Sequence, residues 1–458
     1  MKTNSFSSFF DNINGIKLDK KQIKIATTKR KNVLVIAGAG SGKTLTIVSR
    51  VHYLINNLKV NPKDILCISF TNDAVNKLKE DLNIDDIDVL TFHKLALKII
   101  GNKKEVLTED ILIDIIMDTF NNDSLYGLFK INKNDMYNLI NTFINLFKSK
   151  NYHIDDFYKM INKANYKDRL LLQEIMKCYI CYETYLNKEN LIDFNDMINL
   201  AIEKLDYVKL NYKYIIIDEY QDTSYTKYLL IKKILEKNNA SFFAVGDDFQ
   251  SIYRFAGSSI ELFNNFRRYF LFSKIYKLNK TYRSPYEVIK LAGMFIMKNP
   301  MQIRKKLVSD IRLLNSVQIV YYEDINVSIN EIIKEDNINN LLILARNNNN
   351  LLNIKINKDI NHRKITVHKS KGLQSDYVFI INVNDDYNGF PNKIVDHQIL
   401  KYVNKYKEYY PYEEERRLFY VALTRCKKRV YLFCKKDKPS IFVKEILKMN
   451  KSILIREK

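Results

Sequence analysis

The stretch VLVIAGAGSGKTLTIVSR, residues 33–50, decides how the rest of the chain is read. Four apolar residues, Val33 to Ile36, run into AGAGSGKT, Ala37 to Thr44, and an apolar pattern at helical spacing follows. That order reads as strand, phosphate-binding loop, helix. Gly38, Gly40 and Gly42 let the backbone turn tightly and aim N–H groups at phosphate oxygens. Lys43 brings a cation to the β- and γ-phosphates, and the Thr44 hydroxyl is placed to ligate Mg²⁺. The helix behind the loop adds the positive end of its dipole. The stretch points to a nucleoside triphosphate. Kinases, GTPases, transporters and motors all use such a loop, so it does not say what the nucleotide is for.

The loop needs a metal-holding carboxylate at the end of a neighbouring strand. KYIIIDEYQDTS, residues 213–224, supplies one. Tyr214 to Ile217 is a short apolar strand. Asp218 stands at its C-terminal end, where it can hold Mg²⁺ through water, and Glu219 is placed to polarise the attacking water. Adjacent carboxylates at a strand end are costly unless a cation or a reaction uses them. A solvated strand end is the plain alternative, and the phosphate loop upstream argues against it.

Bulk properties bound the setting. With 458 residues the chain is too long for one compact core, and length alone suggests about three domains. At 46% hydrophobic and 28% charged it is globular in composition. No apolar run approaches the about 18 residues of a membrane span. The N-terminus lacks a basic start followed by an apolar core, so no secretory signal is expected, and the expected location is the cytoplasm, or a host cytoplasm for a viral gene. The net charge of +22 suggests a polyanionic partner, nucleic acid first. Abundant Asn, Lys and Ile with no Trp also fit an AT-rich genome, which raises lysine without function. Five cysteines are too few and too odd in number for a disulfide scaffold. The lone CxxC of Cys178 and Cys181 has no second ligand pair and reads as helix packing.

DEYQD, residues 218–222, resembles the second motif of superfamily 1 helicases of the UvrD/Rep type, and the rest of that motif set stands in order. LDKKQ, ending at Gln22, is similar to the motif that reads adenine. ISFTNDAV (68–75) and LTFHKLAL (90–97) resemble the first DNA-contact motifs, and AVGDDFQSIYRFAGS (244–258) the third motif. LNKTYRS (278–284), ITVHKSKGLQSDYVFI (365–380) and EEERRLFYVALTRCKKRVYLF (413–433) resemble the fourth, fifth and sixth. FFAVGDDFQSIYRFAG, GLQSDYVFI and KPSIFVKEIL turn the resemblance toward the helicase IV branch.

The resemblance implies an α/β fold of two RecA-like parallel-sheet motor domains. Residues 1–97 and 196–275 would form the first (1A), with a helical insertion (1B) over 98–195, and 276–458 the second (2A). Large relatives insert a helical 2B subdomain before the fifth motif. Here only a short loop, 346–364, stands at that place, so 2B is expected to be essentially absent. A second short stretch, 384–412, precedes the sixth motif and is also too small for such a domain.

The same resemblance assigns roles. ATP contacts fall on Gln22, on Ala37, Gly38, Ala39, Gly40, Ser41, Gly42, Lys43 and Thr44, and on Gly372 and Gln374, with Tyr282 stacking on adenine. Gln250 is placed like the γ-phosphate sensor. Arg283 and Arg425, from the second half, would offer guanidinium forks across a cleft and join Lys43, Asp218 and Glu219 in catalysis, with Thr44 and Asp218 on Mg²⁺. Phe70, Tyr253 and Phe255 are the aromatics expected under DNA bases. Thr71, Asn72, Thr91, His93, Arg254, His368 and Lys371 are expected along the strand. Four positions of the third and fifth motifs depart from the family pattern. Phe255 replaces Trp, Ala256 replaces Arg, and Gln374-Ser375 replaces Glu-Phe. Arg254 could partly restore the charge lost at Ala256, and Gln374 could still bond a ribose hydroxyl.

The implied activity is an ATP-dependent motor on single-stranded and tailed duplex DNA, unwinding with 3′-to-5′ polarity in repair, recombination or replication. One alternative is a translocase subunit working with a nuclease, repair or defence partner. Another is a nucleic-acid-binding adaptor with a dead ATPase, against which the intact Lys43, Asp218, Glu219, Gln250, Arg283 and Arg425 stand. No membrane partner is expected.

Overall fold

The apolar run before the phosphate loop is buried from Val33 to Ala37 in strand Asn32–Ala37 (β1), as a parallel strand covered on both faces requires. The computed structural model describes residues 10, 13, 15–101, 105–107, 111–120, 122–357, 360–394, 396–404 and 409–458. Helix Lys43–His52 leaves the loop. Ile65–Ser69 (β2), helix Asn72–Leu82 and Asp88–Thr91 (β3) follow. A short parallel pair, Glu105–Val106 (β4) and Leu191–Ile192 (β5), brackets a helical body. Tyr214–Ile217 (β6), Ser241–Gly246 (β7) and Lys274–Leu278 (β8) complete a six-stranded parallel sheet in the order β3-β2-β6-β7-β1-β8. Only β7 separates the strand that ends in the phosphate loop from the strand that ends in Asp218. Their C-terminal ends therefore share one crevice, the usual ligand position in such sheets.

The second half repeats the plan. Val317–Tyr321 (β9), Asn340–Ala345 (β10), Asn361–Thr366 (β11), Ser375–Ile380 (β12), Cys426–Cys434 (β13) and Leu454–Glu457 (β14) form a parallel sheet ordered β11-β10-β12-β13-β9-β14. Two parallel-sheet domains of mixed α/β type are consistent with RecA-like motor domains. The expected boundary at 275/276 falls inside β8. Tyr276 and Leu278 pair with Val35 and Ala37 of β1, so the handover between halves lies beyond Leu278.

Helices Ile111–Thr119, Ser124–Phe129, Lys133–Ser149, Ile154–Lys163 and Tyr166–Lys188 enclose a core of their own, with Ile116, Met136, Phe143, Phe147, Phe157 and Leu172 buried in it. Cys178 is buried there and Cys181 is exposed.

The two short stretches of the second half are more structured than connectors. Within 346–364, Asn349–Leu352 forms a helical turn, and from Asn361 the chain is already β11, hydrogen-bonded to β10 at the sheet edge. In 384–412, the 3₁₀ turn Gln398–Tyr402 lies on the helical body. Ile399 and Val403 are buried in that body's core. The fully buried carboxylate of Asp168, at the start of helix Tyr166–Lys188, accepts Lys401 Nζ at 2.7 Å, Tyr402 OH at 3.0 Å and Gln398 Nε2 at 3.3 Å. A segment of the second half thus straps onto the insertion of the first.

Candidate active site

The phosphate loop is shaped by backbone that only glycine adopts easily. Gly40 and Gly42 have φ of +70° and +80°. A Cβ on Gly40 would lie 2.6 Å from Arg283 Cβ, and one on Gly42 would lie 2.7 Å from Gln22 Nε2. The loop is pinned by Gly38 N on the Leu278 carbonyl (3.2 Å) and Ser41 N on the Gly38 carbonyl (3.1 Å). Ala37 ends β1, and Ala39 is buried in a core that both halves share. Gln22, buried, closes a capping box with Asp19 and donates to the Ser41 carbonyl at 3.4 Å. Tyr282 N donates to the Gly40 carbonyl at 2.9 Å, and its hydroxyl to Asp19 at 2.8 Å, so the half-exposed ring borders the loop.

Lys43, at the first turn of its helix, donates to Glu219 Oε1 at 2.6 Å. Glu219 is held in the left-handed region at φ +50°, and its second oxygen accepts Gln221 Nε2 at 2.7 Å. Burial opposes its charge, but Lys43 and Lys371 outweigh burial and hold the carboxyl well below the usual range. Asp218 is the opposite case. Burial, and then the Glu219 charge, push it up to about 6. It accepts the Glu219 amide at 2.8 Å, and no ion pair is recorded for it among the described residues. A desolvated carboxylate short of a cation, with the Thr44 hydroxyl in the first turn of the helix behind the loop, fits a hard divalent ion. Thr44 and Asp218 would hold Mg²⁺ there.

The second half brings two guanidiniums to the same crevice. Arg283 is half-buried, donates Nη1 to the Thr424 carbonyl at 3.3 Å, and leaves its buried Nε without a hydrogen bond. Arg425 donates Nε to the Val421 carbonyl (3.0 Å), Nη1 to the Leu373 carbonyl (3.3 Å) and Nη2 to Gln250 Oε1 (3.3 Å). Burial, and then the neighbouring Arg283, push Arg425 down to about 9. Two desolvated like charges, held by neutral carbonyls rather than by carboxylates, form a site that an anion would stabilise. Gln250 is itself fixed by Asp247, which accepts its Nε2 at 2.6 Å.

Gly372, at φ +87°, and Gln374 are exposed at the rim of the fifth-motif turn. Ser375 is buried and structural. Its amide donates to the Arg425 carbonyl at 3.1 Å, and its hydroxyl to Asn340. Lys371, expected along the strand, pairs with buried Asp222 and donates to the Gln250 carbonyl at 2.8 Å.

A groove of 960 Å³ opens beside this crevice, lined by Tyr253, Phe255, Arg346, His368, Lys369 and Lys393 among others. Phe255 is 58% exposed and stands edge-on to His368 at 5.5 Å; it is not a core residue. Tyr253 donates its hydroxyl to the His368 carbonyl at 3.3 Å. Arg254 does not offer a spare charge, because Glu414 (2.7 Å) and Asp396 (2.9 Å) neutralise it. On the first half, Phe70 packs edge-on against Phe92 at 6.0 Å, with Lys227 Nζ over its face at 4.6 Å. Thr71 and Thr91 cap helices Asn72–Leu82 and Phe92–Ile100, and Thr71 and Asn72 are exposed. His93 lies 5.1 Å from Phe194. Burial pushes both His93 and His368 down to about 4, with nearby cations adding to it, so both rings are neutral at pH 7.

Besides the Lys371–Asp222 pair, two features were not read from the sequence. One is buried Lys305, bonded to Asp247 and Asp248; it sits among other basic residues in IRKKLVSD, where nothing marks it. The other is the Gln398–Tyr402 strap, whose apolar residues are too few to show a pattern.

Comparison with known proteins matches residues 18–271 to the UvrD/REP helicase N-terminal domain. DNA helicase IV of Escherichia coli K12 is 29% identical, over 97% of this chain and 72% of that protein. ATP-dependent DNA helicase Rep of Buchnera aphidicola subsp. Acyrthosiphon pisum is 32% identical over 63% of this chain and 46% of the relative. ATP-dependent DNA helicase PcrA of Bacillus subtilis is 28% identical over 68% and 43%. The chain thus spans less than half the length of these Rep and PcrA relatives.

Proposed function

The chain belongs to the UvrD/REP helicase family, and from that premise we propose that it is an ATP-dependent DNA helicase that moves 3′ to 5′ on single-stranded DNA. The observation that supports this best is the convergence of Lys43 from one half with Arg283 and Arg425 from the other on one crevice, where the arginines have no carboxylate ion pair among the described residues.

The triphosphate competes with Glu219 for Lys43. Its arrival draws the ammonium onto phosphate and leaves Glu219 free to polarise water. Thr44 and Asp218 would hold Mg²⁺, which would supply charge neutralisation to the phosphates. Arg283 and Arg425 take charge that develops on the transferred group. Both come from the second half, so hydrolysis and phosphate loss change what holds the halves together. Gln250 touches Arg425 through its side chain and Lys371 through its carbonyl, and Lys371 lies 5.1 Å from the Tyr253 ring in the groove. That is a short physical route from nucleotide to DNA-facing aromatics.

The test is DNA-stimulated ATPase and unwinding of tailed duplexes of both polarities. Lys43→Ala and Glu219→Gln are each expected to abolish turnover, with Glu219→Gln still binding ATP. Normal turnover in either would refute the assigned site.

A further inference from the structure

Lys305 has no side-chain exposure, and neither do its partners Asp247 and Asp248. It comes from the segment after helix Tyr286–Ile296, in the half that carries Arg283 and Arg425, and reaches the end of β7 in the other half. Its Nζ donates to Asp248 Oδ1 at 2.7 Å and to Asp247 Oδ1, with the Phe249 ring centroid 3.7 Å away. Burying an ammonium costs several kcal/mol unless partners offset it. Here burial disfavours the charge, and the two carboxylates outweigh it.

Only one oxygen of Asp247 meets the lysine. The other, Oδ2, accepts Gln250 Nε2 at 2.6 Å. A carboxylate only accepts, so this bond selects one of the two nearly isosteric amide orientations. With nitrogen turned to Asp247, Gln250 Oε1 faces Arg425 Nη2 at 3.3 Å. The Asp247 amide is fixed in turn by Gln221 Oε1 at 2.9 Å.

We propose that Lys305 is a positioning residue for ATP hydrolysis, holding Asp247 in place so that Asp247 aims the Gln250 amide at the transferred phosphate. The orientation of Gln250 is then tied to the same contact between halves that brings the arginines to the crevice. This rests on the reading of the crevice as an ATPase site.

The experiment is DNA-stimulated ATPase of the full chain with Lys305→Met and Lys305→Arg, each with and without Gln250→Ala. Lys305→Met is expected to lower kcat about tenfold to a hundredfold, the scale of a misplaced catalytic group. KM for ATP should change less than about twofold, and Lys305→Arg should recover most of the rate. In the Gln250→Ala background, Lys305→Met should cost less than about twofold, because both changes remove one effect. Losses that multiply, or a rise in KM that accounts for the defect, would overturn the proposal. If Lys305→Met does not fold, Asp247→Asn in the same cycle decides: a loss absorbed by Gln250→Ala supports the proposal, and a multiplicative loss overturns it. A wild-type chain without ATPase would refute the reading of the crevice. An active wild type beside an equally active Lys305→Met would refute only the role of Lys305.

Discussion

The nucleotide crevice and the adjacent groove lie side by side but are built on opposite principles. In the crevice, Arg425 is buried and Arg283 half-buried, both are bonded to main-chain carbonyls, and neither has a carboxylate ion pair among the described residues. In the groove, Phe255 is exposed, Arg254 is neutralised by two carboxylates, and His368 is uncharged. The crevice stores unmet charge for a small polyanion. The groove offers ring faces, with its charge partly cancelled. The proposed motor, which must hold a strand and also release it, is served by that contrast, because stacking tolerates any base.

The largest break in the contrast should come from the crevice. Arg425→Ala is expected to lower kcat for ATP by about 10³-fold, the scale of a lost arginine finger, with single-stranded DNA affinity little changed. Steady-state ATPase and fluorescence anisotropy on the same sample read both, and equal losses in the two would erase the division between the sites.

Phe255→Ala tests the groove from the other side. Loss of one base stack should weaken single-stranded DNA binding by about 1–3 kcal/mol and leave KM for ATP unchanged. No loss of affinity would mean that the exposed ring is not under a base.

Asp396→Asn is smaller and of opposite sign. Removing one carboxylate from Arg254 should tighten DNA binding by about 1 kcal/mol or less, as for an exposed pair. The slope of log affinity against log salt should steepen by up to about one unit. Weaker binding would show that Asp396 supports the groove rather than offsetting its charge.

The subtlest effect is on stability. His93 and His368 fall from an ordinary 6.5 to about 4 on folding. The unfolded chain therefore binds protons that the folded chain refuses as pH drops below about 6.5. Their contribution is present above that pH and is lost progressively toward pH 4. Urea midpoints should decline over that window, and His93→Asn/His368→Asn should decline less. An identical decline in both proteins would show that the rings titrate normally.

Parts of both sites could be read before any coordinates. The phosphate loop and Asp218-Glu219 are legible because their chemistry demands neighbours in sequence, a strand leading into a turn. The groove aromatics were legible only through the motif match, since exposure and not residue type separates Phe255 from buried Phe249. Lys305 and the pairing of Lys371 with Asp222 were hidden, because contact between two distant segments decides whether a lysine is solvated or buried. The 275/276 division cuts β8, because KIYKL closes the first sheet while its last residue, Leu278, already opens the LNKTYRS motif.

The strap on Asp168 limits how the molecule can move. The halves meet at the crevice, where Tyr282 N bonds to the Gly40 carbonyl, Lys305 to Asp247 and Asp248, and Lys371 to Asp222, and again far from it, where Lys401 and Tyr402 bond to Asp168. Loosening the crevice contacts alone leaves the strap as a pivot, so the halves would part like a door still held at one hinge. A motion that lifts the second half off the helical body must break the Asp168 contacts or carry that body along.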